Sequence, residues 1–331
     1  MTFPLTLSLA LLLDALLGDP QRGLPVGPHE LPHPVVGIGR LVAFLERLLY
    51  PGGGPSSGGR ARARGLLLCG ATLLLTGTAV GVLLAAAAWR PWLLAAVQVY
   101  LLYAALAWRS LKDETLPVAL ALFRRDLPGA RNALSRVVGR DTAPLGTADV
   151  ARAAVETVAE NSVDGVLSVI FFAALGWRLG GGTGMALCVW LFKAASTLDS
   201  MVGYDNPRYH DFGRASARLD DALNFLPARF AGLIIVLAGG CLGHSPFAAL
   251  RVFLRDRKKH KSPNSAHGES AFAGVLGLSL GGGAIYGGVL EARPRLGDGA
   301  VPQPADILRA HKLLDASTAL SALLAIALWA F

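Results

Sequence analysis

Apolar and polar segments alternate along the chain, and several apolar segments are long enough to cross a membrane. The apolar segments cover residues 3–18, 65–89, 92–108, 165–195 with a break, 228–243, 271–290 and 317–331. The polar segments cover residues 19–64, 109–164, 196–227 and 245–316. Because a membrane-spanning helix needs about 20 apolar residues, this pattern predicts an all-α, polytopic integral membrane protein. We expect hairpin-linked helices and large polar segments in one membrane-embedded domain over residues 1–331.

Local patterns refine these segments. Residues 35–49 have the spacing of an amphipathic helix on the membrane surface. Segments 65–89 and 92–108 form a predicted hairpin about Arg90 and Pro91. The pieces 165–177 and 183–195 are each short for a span and flank Gly180–Gly182, so we expect a re-entrant or tilted hairpin there.

The N-terminal apolar segment contains Asp14 and lacks both a basic leader and a small-residue cleavage site. These features favour a retained membrane helix over a cleaved signal peptide.

Composition supports the membrane interpretation. The chain has 331 residues, of which 53% are hydrophobic and 16% charged, whereas soluble domains carry about 25% charged residues. We assign the net charge of +8 to the positive-inside rule and not to nucleic-acid binding. The polar segments are therefore predicted to be cytoplasmic, in the inner (cytoplasmic) cell membrane. Cys69, Cys188 and Cys241 lie in apolar runs without a CxxC pair, which is typical of buried hydrophobic residues.

Nucleotide-binding signatures are not found. The chain has neither a GxxxxGK[ST] phosphate loop nor a GxGxxG motif after a strand. The glycine clusters Gly180–Gly182 and Gly281–Gly283 lie at apolar turns. We expect them to serve packing and turns and not to bind phosphate.

The polar run 193–229 is dense in residues that bind metals and anions. It contains Asp199, Asp205, Asp211, Asp220, Asp221, Asn206, Asn224 and four arginines. A plain connector would be richer in Ser, Gly and Lys, so this composition favours a site over a solvated loop. Lys193 could neutralise a phosphate or carboxylate, or could be a snorkelling lysine.

A second acidic pattern lies in residues 147–164. Glu156, Glu160 and Asp164 are spaced i, i+4 and i+8 in a helix predicted to start near Thr147. Carboxylates near a membrane boundary need a partner or a metal ion, and oxygen ligands of this kind suit Mg²⁺. The residues alone thus fit an enzyme acting on phosphorylated or carboxylated substrates, or a transporter for such anions.

Several long stretches carry a resemblance to a known family. They are LLDALLGDP (12–20), LPHPVVGIGRL (31–41), RRDLPGARNALSRVVGRDT (124–142), VETVAENSVDG (155–165), TLDSMVGYDNPRYHDFG (197–213, after Lys193), SARLDDALNFLPAR (216–229), HKSPNSAHGESAFAG (260–274) and PADILRA (304–310). Nearly end to end, the chain resembles the adenosylcobinamide-phosphate synthase family of cobalamin biosynthesis, the CobD/CbiB type. It departs from the family pattern at His267 and Gly268, where members usually show Trp-Pro, and in the longer spacing at 21–32.

This resemblance implies an ATP-dependent amide ligase. The family joins (R)-1-amino-2-propanol or its O-phosphate to the propionate of adenosylcobyric acid, through an acyl phosphate, with Mg²⁺ accompanying ATP. The implied partners are these substrates, membrane lipid and other late cobalamin-pathway membrane enzymes, with no nucleic acid.

With the resemblance in view, site residues are assigned as hypotheses. Candidate catalytic residues are Glu156, Glu160, Asp164, Lys193, Asp220 and Asp221, with Glu160, Asp220 and Asp221 as candidate Mg²⁺ ligands. Candidate substrate or phosphate contacts are His33, Arg40, Arg140, Asp199, Asn206, Tyr209, Arg218, Asn224, Arg229, His260, Asn264 and Glu269.

Two functions are alternatives to the amide ligase. An AmpE-like inner-membrane signalling protein would not need the dense Asp, Asn and Arg motifs of all four polar segments. A small-anion transporter predicts charges near the midplane of well-formed spans. In this chain only Asp14 lies well inside an apolar segment, with Lys193 near the end of another, which favours chemistry at the membrane surface.

Overall fold

The computed structural model describes residues 1–20, 33–50, 52, 54 and 57–329. The helices within them are α1 (Phe3–Leu17), α2 (Pro34–Leu49), α3 (Gly59–Ala87), α4 (Pro91–Tyr103), α5 (Trp108–Phe123), α6 (Leu127–Leu134), α7 (Thr147–Ser162), α8 (Ser168–Val202), α9 (Arg214–Cys241), α10 (Pro246–Asp256), α11 (Ala266–Leu276) and α12 (Pro304–Trp329). A π-helical turn, Val163–Leu167, joins α7 to α8. The predicted all-α class is confirmed. The parts of the predicted segments at 21–32, 51, 53, 55–56 and 330–331 lie outside the described residues.

Five helical stretches of the described chain are long and apolar enough to cross a membrane. They are Gly59–Ala87, Pro91–Phe123, Thr147–Val202, Arg214–Cys241 and Pro304–Trp329. This is the pattern of a multi-pass membrane protein. Helix α1 is apolar but shorter, with 15 residues.

The segment 271–290 does not form a long helix. Helix α11 ends at Leu276, where Gly277 adopts a left-handed conformation with φ 66°, a common helix terminator. Four short strands follow: β1 (Leu280–Gly281), β2 (Ala284–Tyr286), β3 (Val289–Glu291) and β4 (Arg295–Leu296). Strand β1 pairs antiparallel with β4, and β2 with β3. The glycines of this segment make the turns that a helix could not contain.

The predicted hairpin about Gly180–Gly182 is confirmed. Gly180 and Gly181 have non-helical backbone angles inside α8, with φ 60° at Gly181. The two halves of α8 then pack so closely that a Cβ on Gly176 would lie 2.5 Å from the carbonyl oxygen of Gly184. The chain therefore reverses direction at the glycine cluster, as its sequence predicts.

The chain divides into two compact units, each built from separate stretches of sequence. Unit 1 comprises Met1–Leu106, Val169–Asn224 and Ala325–Phe331, and unit 2 comprises Ala107–Ser168 and Phe225–Leu324. The single domain expected over residues 1–331 stays a prediction.

Unit 1 is held by both apolar packing and buried hydrogen bonds. Helix α1 packs on α4, and α2 packs on α3. The buried hydroxyl of Tyr103 donates to the carbonyl of Gly18 at 2.8 Å, and the Trp190 indole donates to the carbonyl of Leu101 at 3.1 Å. Each bond satisfies a polar group that would otherwise be buried without a partner.

Helix α7 lies at the centre of unit 2, in contact with α5, α6, α11 and β1. The contact with α11 requires a glycine. A Cβ on Gly268 would lie 2.6 Å from the carbonyl oxygen of Ala159 and 2.8 Å from a Val163 methyl carbon. This close approach brings Glu269, the next residue, to the acidic face of α7.

Asp256 anchors the ribbon of short strands to helix α10. Its side chain is fully buried. It accepts hydrogen bonds from Arg255 at 2.8 Å and from the backbone amide of Gly297 at 2.7 Å, and it lies 2.6 Å from the Lys259 ammonium. Burial opposes its charge, but these donors hold the pKa of Asp256 below its usual range.

We expect Asp256→Asn to destabilise unit 2 by about 3 kcal/mol, because it breaks a buried, multiply bonded ion pair. Thermal unfolding in detergent measures the change. Asp298→Asn is the matched control, because Asp298 pairs with the same Arg255 at 2.8 Å but is 73% exposed, and exposed pairs contribute about 1 kcal/mol or less. Equal melting temperatures for the two variants would contradict the anchoring role.

The stabilisation by Asp256 also depends on pH. Because the folded-state pKa lies below the unfolded value of about 3.9, the contribution is fully present above about pH 4 and is lost as pH falls through the folded pKa. The difference between wild type and Asp256→Asn should therefore shrink only in strong acid. A difference that instead disappears between pH 7 and pH 5 would contradict this assignment.

Candidate functional site

A buried carboxylate, Glu156, organises the polar interior of unit 2. It projects from α7 and is only 2% exposed. One carboxylate oxygen accepts from Arg140 Nη1 at 2.7 Å, and the other accepts from the backbone amide of Gly281 at 2.7 Å. Arg152 Nε lies 3.7 Å from that second oxygen. Because its oxygens are already engaged, the geometry gives Glu156 a positioning role.

Two further carboxyl groups lie near Glu156. Glu160 follows one turn later on α7 and is exposed, and Glu269 on α11 is 6% exposed. Arg140 and Arg293 are within electrostatic range of both. We call these five residues the carboxylate cluster: Glu156, Glu160, Glu269, Arg140 and Arg293.

The charges within the carboxylate cluster affect one another. Burial, and then the neighbouring Glu156 and Glu160, raises the pKa of Glu269 well above its usual value. Although burial alone would lower it, the pKa of Arg140 is raised because Glu156 stabilises the guanidinium charge. Glu269 therefore binds its proton more tightly than an ordinary carboxyl group does, while Arg140 keeps its charge.

The predicted i, i+4 and i+8 placement of Glu156, Glu160 and Asp164 on one α-helix is confirmed only for the first two. Glu156 and Glu160 are one turn apart in regular α-helix, whereas Asp164 lies in the π-helical turn. The α-helical spacing on which the prediction rested does not apply there. Such turns occur frequently at functional sites.

A cavity of about 600 Å³ lies beside the carboxylate cluster and shares Arg140 with it. Its lining residues are Ser135, Arg140, Asp141, Thr142, Ala143, Pro144, Ile285 and Gly288. Asp141 holds its two walls together: its backbone amide donates to the Ile285 carbonyl, and its carboxylate accepts from the Gly288 amide, both at 2.7 Å. This cavity is large enough for a substrate of several hundred cubic ångströms.

The other predicted residues of unit 2 lie near α11. Burial, and then Arg293 and Lys261, lowers the pKa of His260, which keeps its imidazole neutral near pH 7. Asn264 is 8% exposed and accepts a hydrogen bond from Arg229 Nη1 at 3.3 Å. The Asn264 carbonyl also lies 3.1 Å from Nδ1 of the buried His267.

In unit 1 the structure brings together several of the predicted aspartates. Asn224 Nδ2 lies 3.2 and 3.1 Å from the two carboxylate oxygens of Asp220, which confirms the predicted i, i+4 pair on a helix. Asp199 and Asp221 lie within electrostatic range of Asp220. Three acidic side chains thus share one neighbourhood, where each negative charge disfavours the ionisation of the others.

The remaining predicted residues of unit 1 have more varied surroundings. His33 caps α2 by accepting from the Val35 amide at 3.1 Å. Burial, together with the Lys193 charge, lowers the pKa of His33, although the Asp19 charge opposes this shift. Tyr209 donates to Glu46 at 2.8 Å. The remaining four are Asn206, whose Oδ1 accepts from the Tyr209 amide at 3.0 Å, the half-buried Lys193 of α8, and the exposed Arg40 and Arg218.

The described residues contain no group of three or more His, Cys, Asp or Glu side chains that could hold a metal ion. Mg²⁺ usually needs only one or two carboxylates plus substrate phosphates, so ligation by Glu160, Asp220 and Asp221 stays a prediction. The spacing HExxH occurs at residues 29–33, but Pro32 disfavours the helix that this motif requires. Of that motif, the structure describes only His33.

The secondary structure around residues 277–281 shows that this stretch is not a nucleophile elbow. Residues 277–281 read G-x-S-x-G, a spacing that carries a catalytic serine only at a turn from strand to helix. Here the chain runs from the end of helix α11 into strand β1.

The sequence-based selection missed Arg293 and Arg152. Arg293 lies far along the chain from the carboxylates that it approaches, and it follows a glycine-rich segment that was expected to be apolar. Its only local signal was the ARPR stretch at 292–295. Arg152 had a local signal, its i, i+4 spacing to Glu156 on α7.

Comparison of the sequence with known proteins identifies one family. The family model described as CobD/Cbib protein matches residues 7–314. The cobalamin biosynthesis protein CobD of Pelobacter propionicus is 46% identical over 297 residues, which is 89% of this chain and 85% of the relative. The cobalamin biosynthesis protein CbiB of Salmonella typhimurium is 41% identical over 292 residues, covering 88% and 86%. CobD of Klebsiella pneumoniae is 41% identical over 324 residues, covering 94% and 93%.

No solved structure matches the chain. The family match and the relatives cover most of its length. The chain belongs to the CobD/Cbib protein family, whose relatives compared above are named for cobalamin biosynthesis.

Proposed function

We propose that the chain acts in cobalamin biosynthesis as an adenosylcobinamide-phosphate synthase. It would use ATP to join (R)-1-amino-2-propanol, or its O-phosphate, to the propionate of adenosylcobyric acid. The observation that carries this proposal is the carboxylate cluster beside a cavity of about 600 Å³ in a member of this family.

The chemistry needs positive charge near two anions. The substrate carboxylate must attack the γ-phosphate of ATP. These two anionic groups repel each other unless positive charges lie close to both. Arg140 and Arg293 supply fixed guanidinium charges at the cluster. Arginine is suited to this because its planar fork binds phosphate and carboxylate bidentately.

The amine must also lose a proton before it attacks the activated carboxyl. Glu160 is an exposed carboxylate at the edge of the cluster, so it can take this proton. Glu269 is buried, with a raised pKa, so its role is to donate a hydrogen bond or hold substrate. Glu156 keeps Arg140 in place.

Mg²⁺ is proposed to arrive with the nucleotide. Glu160 in unit 2, or Asp220 and Asp221 in unit 1, offers the carboxylates that would hold it. When bound, the ion would supply positive charge that stabilises the negative charge of the phosphates. Nothing in the donor sets of the described residues favours a permanently bound metal.

The reaction itself is the first test. Detergent-purified protein is mixed with adenosylcobyric acid, Mg-ATP, and either aminopropanol or aminopropanol phosphate, and product is followed by mass spectrometry. We expect product and ADP only when both organic substrates are present, and the better amine identifies the natural one. Well-folded protein that makes no product with either amine would contradict the proposal.

Two substitutions test the assigned carboxylates. Glu160→Gln and Asp220→Asn should each lower kcat by roughly 100-fold or more, because each removes the proton acceptor or metal ligand assigned to its unit. Both should leave the protein membrane-inserted. Glu291→Gln, at an exposed position of strand β3, is the matched control and should keep wild-type activity. Full activity in either site variant would remove that residue from the mechanism.

We further propose that the polar segments face the cytoplasm, where ATP and the corrinoid substrate are available, and that the enzyme works beside other late-pathway membrane enzymes. Single cysteines introduced in a cysteine-free background test this orientation. Asn132→Cys, in the polar segment 109–164, should resist an impermeant thiol reagent in intact cells. Arg90→Cys, in the turn between α3 and α4, should react with it. The opposite labelling pattern would contradict the orientation.

A further inference from the structure

We propose that the turn Gly281–Gly283, together with Arg152 and Arg295, binds a phosphate group. This phosphate site lies next to the carboxylate cluster. The inference rests on the proposed function for the identity of the ligand, which is ATP or the O-phosphate of the amine. The geometry of the glycine turn and its two arginines does not depend on that function.

The backbone of the turn requires glycine at three successive positions. Gly281, Gly282 and Gly283 have φ values of 75°, 93° and 138°, which other residues rarely adopt. Gly282 and Gly283 lie between strands β1 and β2, outside both ladders. Gly281 is held in place because its amide donates to Glu156 at 2.7 Å.

Two guanidinium groups approach Gly282 at the position that a Cβ would occupy. A Cβ at this residue would lie 3.5 Å from Arg152 Nη1 and 3.5 Å from Arg295 Nε. Gly282 and Arg295 are exposed, so the space between the two arginines is open to a ligand. Two like charges this close to one point repel each other, and an anion between them would remove that repulsion.

The contacts of Arg152 and Arg295 leave some of their N–H donors available to bind a ligand. Arg152 Nη2 pairs with Asp149 at 3.0 Å, but its buried Nε has no hydrogen-bond partner among the described residues. Arg295 makes no side-chain hydrogen bond or ion pair in the part of the chain that the structure describes. Glu156 is the nearby opposing charge, at 3.7 Å from Arg152 Nε, and Arg140 already neutralises it.

The ligand that fits these features is a phosphate. Its oxygens accept several charge-assisted hydrogen bonds at once, and arginine forks match that geometry. A glycine turn lets the backbone approach such a group closely, with no side chain between. The same ribbon continues to Ile285 and Gly288, which line the 600 Å³ cavity, so a phosphate at this turn could belong to a ligand held in that cavity.

The decisive variant is Gly282→Ala, which places a methyl group between the two guanidiniums. Equilibrium binding to the detergent-purified full chain is measured for ADP, for aminopropanol phosphate and for inorganic phosphate. We expect at least one of these probes to bind about tenfold more weakly to Gly282→Ala, the effect of losing a hydrogen bond to a charged group. Arg295→Gln should weaken the same probe by about the same factor.

Matched controls separate this effect from loop strain and from loss of charge. Gly287→Ala introduces a side chain at another positive φ, 54°, in the same ribbon, but has no neighbour within 4 Å. Arg251→Gln removes a charge from an exposed position of α10. Both should bind all three probes within about twofold of wild type. If Gly282→Ala does not fold, Arg295→Gln against Arg251→Gln decides the question.

The probes identify the source of the phosphate. Weakened ADP binding assigns the site to the nucleotide, and weakened aminopropanol phosphate binding assigns it to the amine substrate. Either result supports the phosphate site, even if the protein makes no amide. Unchanged binding of all three probes in Gly282→Ala and Arg295→Gln would overturn the site, even in a protein that is an active ligase.

Discussion

The arrangement of unit 2 depends on how a buried charge, Glu156, is satisfied. A carboxylate that is 2% exposed would be costly without close partners. Its partners come from separate parts of the chain: Arg140 from the loop after α6 and the Gly281 amide from strand β1. Satisfying this one group therefore fixes the cavity wall at Arg140 and the glycine turn of the ribbon at the same time.

The rest of the site follows from close packing around that group. Gly268 allows α11 to approach α7 at a distance that no side chain permits, and this places Glu269 beside Glu156 and Glu160. Asp256 then holds the far end of the ribbon through the Gly297 amide. The three carboxyl groups of the cluster are thus carried on helices α7 and α11, whose positions are set by backbone contacts. This is the rigid support that oriented catalysis requires.

Local patterns in the sequence predicted much of this molecule. The length of the apolar segments predicted the membrane helices. The glycine cluster at Gly180–Gly182 predicted the reversal in α8, and the spacing of Asp220 and Asn224 predicted their contact. Each of these depends on residues close together in the chain.

The ribbon within 271–290 was not predicted, because its composition is apolar and its glycines become turns only through pairing with residues 289–296. Arg293 was missed for the same reason, since only the fold brings it to Glu160 and Glu269. Arg152 lies one helical turn from Glu156 on α7, but only the fold brings it to Gly282. Gly281–Gly283 were expected to serve packing and a turn and not to bind phosphate, because the sequence around them does not show that Arg152 and Arg295 lie beside Gly282.

In the proposed reaction, ATP activates the substrate carboxylate before the amine attacks. The most direct measurement uses adenosylcobyric acid with ¹⁸O in its propionate carboxylate, together with Mg-ATP and the amine. In the proposed route one carboxylate oxygen bonds to the γ-phosphorus and leaves with the phosphate, while the other stays in the amide. The account predicts one ¹⁸O atom in the released inorganic phosphate for each amide formed. Amide formation with no ¹⁸O in inorganic phosphate, or with ¹⁸O in AMP, would contradict it.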